Sequence, residues 1–152
     1  MQKTLRNPQR VSKQMMYHLL TKEDFLEDDK GKYWVIPLKD LKGNNLRVPE
    51  LGSMGHKGTK SKKPRSRYKR VRAVWMLQSG KRFKVILLEE LRLEGGKLEL
   101  RFCYWTITGL KNKKFKGVWW WGQSALMAPK VDIEGLIVYA SKKGMISLDE
   151  IS

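Results

Sequence analysis

The alternation of apolar and polar positions is strongest in the middle of the chain. The stretches VWMLQSGKRFKVI and RLEGGKLEL each set a glycine-containing turn between two strand-forming runs, the pattern of a β-hairpin. With Ser79-Gly80 as a two-residue turn, Met76 opposes Phe83, Val74 opposes Val85 and Arg70 opposes Glu89. With Gly95-Gly96 as the second turn, Glu94 opposes Lys97, Arg92 opposes Glu99 and Glu90 opposes Arg101. Three opposite-charge pairs on one face favour that register. The other face then carries Val85, Leu87, Leu91, Leu93, Leu98, Leu100 and Phe102 and reads as core. Glu89 falls among core-facing positions, where Arg70 is its expected salt-bridge partner. Trp75, Leu77, Arg82, Lys84, Cys103, Trp105 and Ile107 fall outward, mixing aromatic and basic groups, with a terminal helix expected over the apolar end.

The flanks add further elements. Ser12 is placed to cap a helix carrying Met15, Met16, Leu19 and Leu20, which recur near helical spacing. Thr21 and Asp24 form a capping pair for a short turn, KEDFLED, that Gly31 stops. KYWVIPL (32–38), RFCYWTIT and GVWWWGQ read as strands, and in the last of these Trp119 and Trp121 share a face while Trp120 takes the other. A C-terminal helix follows Pro129, with a stripe of Ile133, Leu136, Ile137 and Ala140, Lys142 and Lys143 in its last turn and Gly144 as its stop. The fold class is α+β. It is an antiparallel β-meander of four to five strands, a curled sheet or a small open barrel, with an N-terminal helical segment and a C-terminal helix. The chain reads as one domain over 1–152, with a basic N-terminal tail at 1–12 and a long basic loop, open to flexibility, at 39–68.

Charge changes the picture most. Of 152 residues, 32 are Lys or Arg and 15 are Asp or Glu, a formal net charge of +17. Self-repulsion of that size opposes compaction, and a polyanion relieves it. The positive charge is clustered: HKGTKSKKPRSRYKRVR (56–72) holds nine Lys or Arg in seventeen residues and no acid. Lys57, Lys60, Lys62, Lys63, Arg65, Arg67, Lys69, Arg70 and Arg72, with Tyr68 among them, form a candidate phosphate-binding arm that acts by counterion release. The same run would also serve as a nuclear import signal in a eukaryote. The outward Trp75, Arg82 and Lys84, and the KNKKFK cluster of Lys111, Lys113, Lys114 and Lys116, extend the candidate surface. Trp119, Trp120 and Trp121, or the C-terminal helix, are the candidate protein–protein face.

Chemistry is sparse by comparison. The two histidines have no cysteine or carboxylate at ligand spacing, and neither a phosphate-binding glycine loop nor a dinucleotide fingerprint is present. No metal or cofactor is implied. The one cysteine, Cys103, fits a reducing compartment. With no apolar run behind the basic N-terminus and no long apolar span, an intracellular location is expected. The leading expectation is a non-enzymatic nucleic-acid-binding component of a larger nucleoprotein complex, with DNA favoured over RNA. A Mg²⁺-dependent nuclease built on Asp40, Glu89 and Glu90 is one alternative, and an adaptor for an acidic protein is the other.

Overall fold

The structure, a computed structural model, describes residues 16–54, 66–107, 116–122 and 124–147. Among the described residues nine strands and one long helix follow in chain order. They are β1 (His18–Leu20), β2 (Phe25–Asp28), β3 (Gly31–Lys39), β4 (Asn45–Pro49), β5 (Leu51–Met54), β6 (Ser66–Leu77), β7 (Lys84–Leu93), β8 (Leu98–Ile107), β9 (Trp119–Trp121) and α1 (Lys130–Lys142). All pairings are antiparallel, in two open sheets: β1-β6-β7-β8-β9, with β5 also on β6, and β2-β3-β4. The α+β class stands, with more strands than a four- or five-stranded meander and with open sheets in place of a barrel.

Alternation along the central strands sorts side chains onto two buried faces. One face of the large sheet gives Ala73, Trp75, Val85, Leu87 and Cys103 to a core shared with Trp34, Ile36, Leu46 and Val48 of the three-stranded sheet. The opposite face gives Val74, Met76, Ile86 and Leu88 to a second core with Leu136 and Ala140 of α1. A strand covered on both sides favours apolar residues at successive positions, and β7 is apolar and buried from Val85 to Leu88, with the buried carboxylates Glu89 and Glu90 following. The sheets meet along both edges. Glu50 N–H donates to Lys32 O at 3.0 Å and Arg70 N–H to Glu50 O at 2.8 Å, while Leu41 N–H reaches Gly117 O at 2.8 Å.

Several expectations need correction. The expected helix over Met15 to Leu20 gives way at His18–Leu20 to a strand paired with Ala73–Trp75. Edge pairing with β6 satisfies that backbone and lets Leu20 enter one core while Leu19 enters the other. Thr21 and Asp24 do form a capping box, over a 3-10 turn of Lys22–Asp24 only. Within the segment 39–68 read as a loop, β4 and β5 fill 45–49 and 51–54, and β6 begins at Ser66. Residues 40–44 form the turn between β3 and β4, while 55–65 of that segment, and the 1–12 tail, lie outside the described residues.

Both hairpins turn differently from expectation. Leu93 N–H donates to Lys97 O at 2.8 Å, so Glu94, Gly95 and Gly96 form a three-residue loop, with φ of 93° and 94° at the two glycines. Pairing shifts by one: Glu89 faces Arg101, Glu90 faces Leu100 and Leu91 faces Glu99. A one-residue slip exchanges faces, so Leu98, Leu100 and Phe102 leave the core and stand 50%, 46% and 37% exposed. In the other hairpin Gln78 N–H donates to Lys84 O at 2.9 Å, leaving a five-residue loop over 79–83. Trp75 therefore faces Leu87 and not Lys84, and Leu77 faces Val85 and not Arg82. The cause is tertiary. Buried Asp132 in the first turn of α1 accepts from Ser79 N at 2.8 Å and Ser79 Oγ at 2.6 Å, fastening the loop to the helix.

The buried charge of Glu89 is held by three donors. Arg70 Nε donates to its Oε2, while Arg101 Nη2 at 2.9 Å and Cys103 Sγ at 3.1 Å reach Oε1. The expected Arg70–Glu89 salt bridge is present, although Arg70 pairs along the backbone with Leu91. Glu89→Gln keeps the shape and removes the charge, leaving two guanidinium groups without their counterion. Loss of one partner from a buried ion pair costs about 3–5 kcal/mol. A urea unfolding curve should show a destabilisation of that order, and a midpoint unchanged from the parent would contradict this role.

Candidate nucleic-acid interface

The strand β6 divides the basic run by alternation. Arg67 and Lys69 point outward, while Tyr68 and Arg70 are buried at 7% and 4% exposure. The Tyr68 hydroxyl accepts from Arg101 Nη2 at 2.9 Å, and its ring lies under the Arg101 guanidinium at 4.7 Å. Arg70 also donates to Pro49 O. Arg72 pairs with Glu90 at 2.9 Å and donates to Gly144 O at 2.9 Å, where it caps the end of α1. Trp75 is 5% exposed and stacks on His18 at 4.2 Å. Tyr68, Arg70, Arg72 and Trp75, expected on a binding surface, are therefore interior or structural groups. Each either faces a core or has its donors spent within the fold.

The remaining predicted residues separate clearly. Lys57, Lys60, Lys62, Lys63, Arg65, Lys111, Lys113 and Lys114 lie outside the described residues. Lys69 is half exposed and pairs with Glu50 at 3.2 Å. Arg82 lies over the Phe83 ring at 5.1 Å. Lys84 donates to Met127 O at 2.7 Å and sits 4.8 Å from the Tyr104 ring centroid. Partial burial, and then Lys81 nearby, lower its pKa. Lys116 is exposed. Among the described residues, no carboxylate pairs with Arg67, Arg82 or Lys116. The expected tryptophan docking face turns inward: Trp119 and Trp121 pack against the core beneath the three-stranded sheet, and Trp120 is half-buried.

A cleft that sequence reasoning missed collects much of the remaining charge. It encloses about 650 Å³ and is lined by Lys30, Lys39, Arg47, Asp40, Asn45, Trp105 and Trp119, with Val118 among the apolar wall. Hairpin pairing of β2, β3 and β4 assembles it, since Arg47 faces Val35 and Asn45 faces Lys39 across the sheet. Arg47 is anchored by Asp28 at 3.0 Å, with Tyr33 beneath its guanidinium. The Trp105 and Trp121 rings meet edge to face at 5.4 Å, and Trp119 Nε1 donates to Leu38 O at 2.9 Å. The three cations are spread over eighteen positions of sequence, so no local run announces them. The one local signal was Asp40-Leu41-Lys42-Gly43-Asn44, which closes the hairpin. Asp40 Oδ1 accepts from Lys42 N and Asn44 N at 2.8 and 2.9 Å.

The nuclease arrangement is not assembled. Glu89 and Glu90 are adjacent in one strand and so point to opposite faces of the sheet. Glu89 is held by Arg70, Arg101 and Cys103, Glu90 by Arg72, and Asp40 is part of the turn. Among the described residues, no three His, Cys, Asp or Glu side chains converge on a metal-sized site. No described helix is long and apolar enough to cross a membrane. Compared with protein families, with characterised proteins and with solved structures, the chain matches none.

Cys103 gives the region a measurable signature. Burial and the neighbouring Glu89 charge push its thiol well above the usual 9.0, outweighing Arg101 and Arg70. The folded chain keeps the proton that the unfolded chain releases, so stability is full below the ordinary thiol value and falls as pH rises past it. Urea midpoints should decline between neutral pH and about pH 10, with a shallower decline in Cys103→Ala. An equal slope in the two proteins would show that the thiol does not contribute.

Proposed function

We propose that the protein binds nucleic acid through its phosphate backbone and reads sequence little. The observation that carries this is the cleft in which Lys30, Lys39 and Arg47 surround the indoles of Trp105 and Trp119. Cations beside aromatic rings suit a backbone with bases at hand, because the charges take phosphates and the rings take apolar base surface. Lys116 stands two residues before Val118 of the cleft wall and adds charge there. The net charge of +17 supports the same reading, since it would draw any polyanion. The basic residues at 57–65 bring further charge in the sequence just before β6 and join the grip in this reading.

A protein partner is the second reading, favoured by a specific feature. Leu98, Leu100 and Phe102 form a row on the face of β8 that α1 leaves uncovered, and Met127 nearby in the chain before α1 is 80% exposed. Apolar groups in a row on the surface mark contact sites more often than they mark chance. On this reading the face that meets other proteins of a complex is β8, in place of the tryptophan strand. A partner retained after nuclease treatment and lost on Leu100→Lys would support it, and a partner released by nuclease would count against it.

The primary reading is tested by titrating labelled duplex DNA, single-stranded DNA and duplex RNA over a salt series. Affinity should fall log-linearly with salt for at least one of them. Lys30→Ala, Lys39→Ala and Lys116→Ala combined should weaken binding for all sequences alike. They should also lower the salt slope by about one per lysine that meets a phosphate. Weak binding to all three, with no salt dependence, would overturn the reading.

A further inference from the structure

Two residues that line the cleft each carry a polar atom left unpaired among the described residues. Trp105 Nε1 and Asn45 Oδ1 are buried, and neither has a hydrogen-bond partner among the described residues. Both residues line the cleft. One is a donor and the other an acceptor, and groups so placed are costly to leave unpaired. The neighbouring indole shows the contrast, since Trp119 Nε1 is satisfied by Leu38 O. The cleft volume of about 650 Å³ lies in the range of sites for single small ligands. It is far too small for a duplex.

We propose that this cleft takes one unstacked nucleobase of a single strand, so that the protein prefers single-stranded over duplex nucleic acid. Trp105 Nε1 donates to an acceptor on the base edge, and Asn45 Oδ1 accepts from a base N–H. Lys30, Lys39 and Arg47 hold the flanking phosphates. Each of the common bases offers an acceptor beside a donor on its pairing edge, so the two groups register that a base is present without choosing which. In a duplex those edges are already paired, and entry would require the base to leave the stack. Both protein atoms are closed off from solvent, so the Trp105 indole and the Asn45 amide both turn towards the cleft as the base enters. The inference rests on the nucleic-acid reading and adds to it the state of the strand.

The test compares a labelled oligothymidylate of about eight nucleotides with an abasic deoxyribose-phosphate chain of the same length and charge. At one salt concentration the thymidylate should bind about tenfold more tightly, in line with one engaged base. Trp105→Phe keeps an aromatic ring and removes the N–H. Asn45→Ala removes the acceptor at a partly exposed strand end, and guards against a folding defect in the first variant. Each should bring the ratio between the two ligands towards one while leaving the salt slope as it was. Equal binding of the two ligands by the parent protein, with a steep salt slope, would overturn the base site and leave the phosphate-binding reading standing. Failure to bind either ligand at low salt would overturn both.

Discussion

Glu89 carries a carboxylate at a position with no solvent exposure, and the large sheet is organised around supplying it with partners. An isolated buried carboxylate would take up a proton or unfold its surroundings. Here β6 supplies Arg70, and β8 supplies Arg101 and Cys103, so the ion ties together the three central strands. Arg101 shows how closely the charges are matched. Its burial alone would lower its pKa, yet Glu89 and the Tyr68 hydroxyl outweigh that and raise it. The tie is specific as well as strong, because these donors converge only when Glu89 and Arg101 are directly paired.

That register decides where the cleft tryptophans point. With Glu89 opposite Arg101, Leu87 meets Cys103 and Val85 meets Trp105, all on the side of the three-stranded sheet. Trp105 in turn meets Trp121 on β9, and Ile107 meets Trp119. A slip of one residue would carry Trp105 to the far face and dismantle the cleft wall. A buried ion pair seldom adds much net stability over apolar packing. Its value here lies in selecting one strand alignment among several that hydrophobic alternation alone would tolerate.

Much of this was legible in the sequence, and the limits were physical. The capping box at Thr21, the strand at 32–38, the C-terminal helix and the Arg70–Glu89 bridge each depend on contacts close in sequence or on an unmistakable pairing need. Turn lengths did not emerge, because Gly95-Gly96 suits a two-residue and a three-residue loop equally well, and opposed charges supported the wrong one. The Ser79 loop is set by Asp132, more than fifty residues away, which no local pattern reveals. Strands β4 and β5 are short and lie among Gly, Asn and Pro. Their apolar positions, Leu46 and Val48 of β4, become a signal only once Trp34 and Ile36 stand opposite.

The basic run shows why composition misleads about a surface. Once SRYKRVR is extended as a strand, every second residue turns inward, and the fold spends Arg70 on a carboxylate and Arg72 on a carboxylate and a helix end. Guanidinium groups suit that work, since they present several donors in a fixed plane and remain charged when buried. The cations around the cleft include two lysines, whose compact, hydrated heads stay at the surface, together with Arg47, already braced by Asp28. The densest charge in the sequence thus yields part of itself to internal structure. The cleft gathers its charge from positions that are sparse in sequence and close in space. On the proposed reading a polyanion responds to such a grouping, because field strength at a surface follows the spatial arrangement of charges and not their order along the chain.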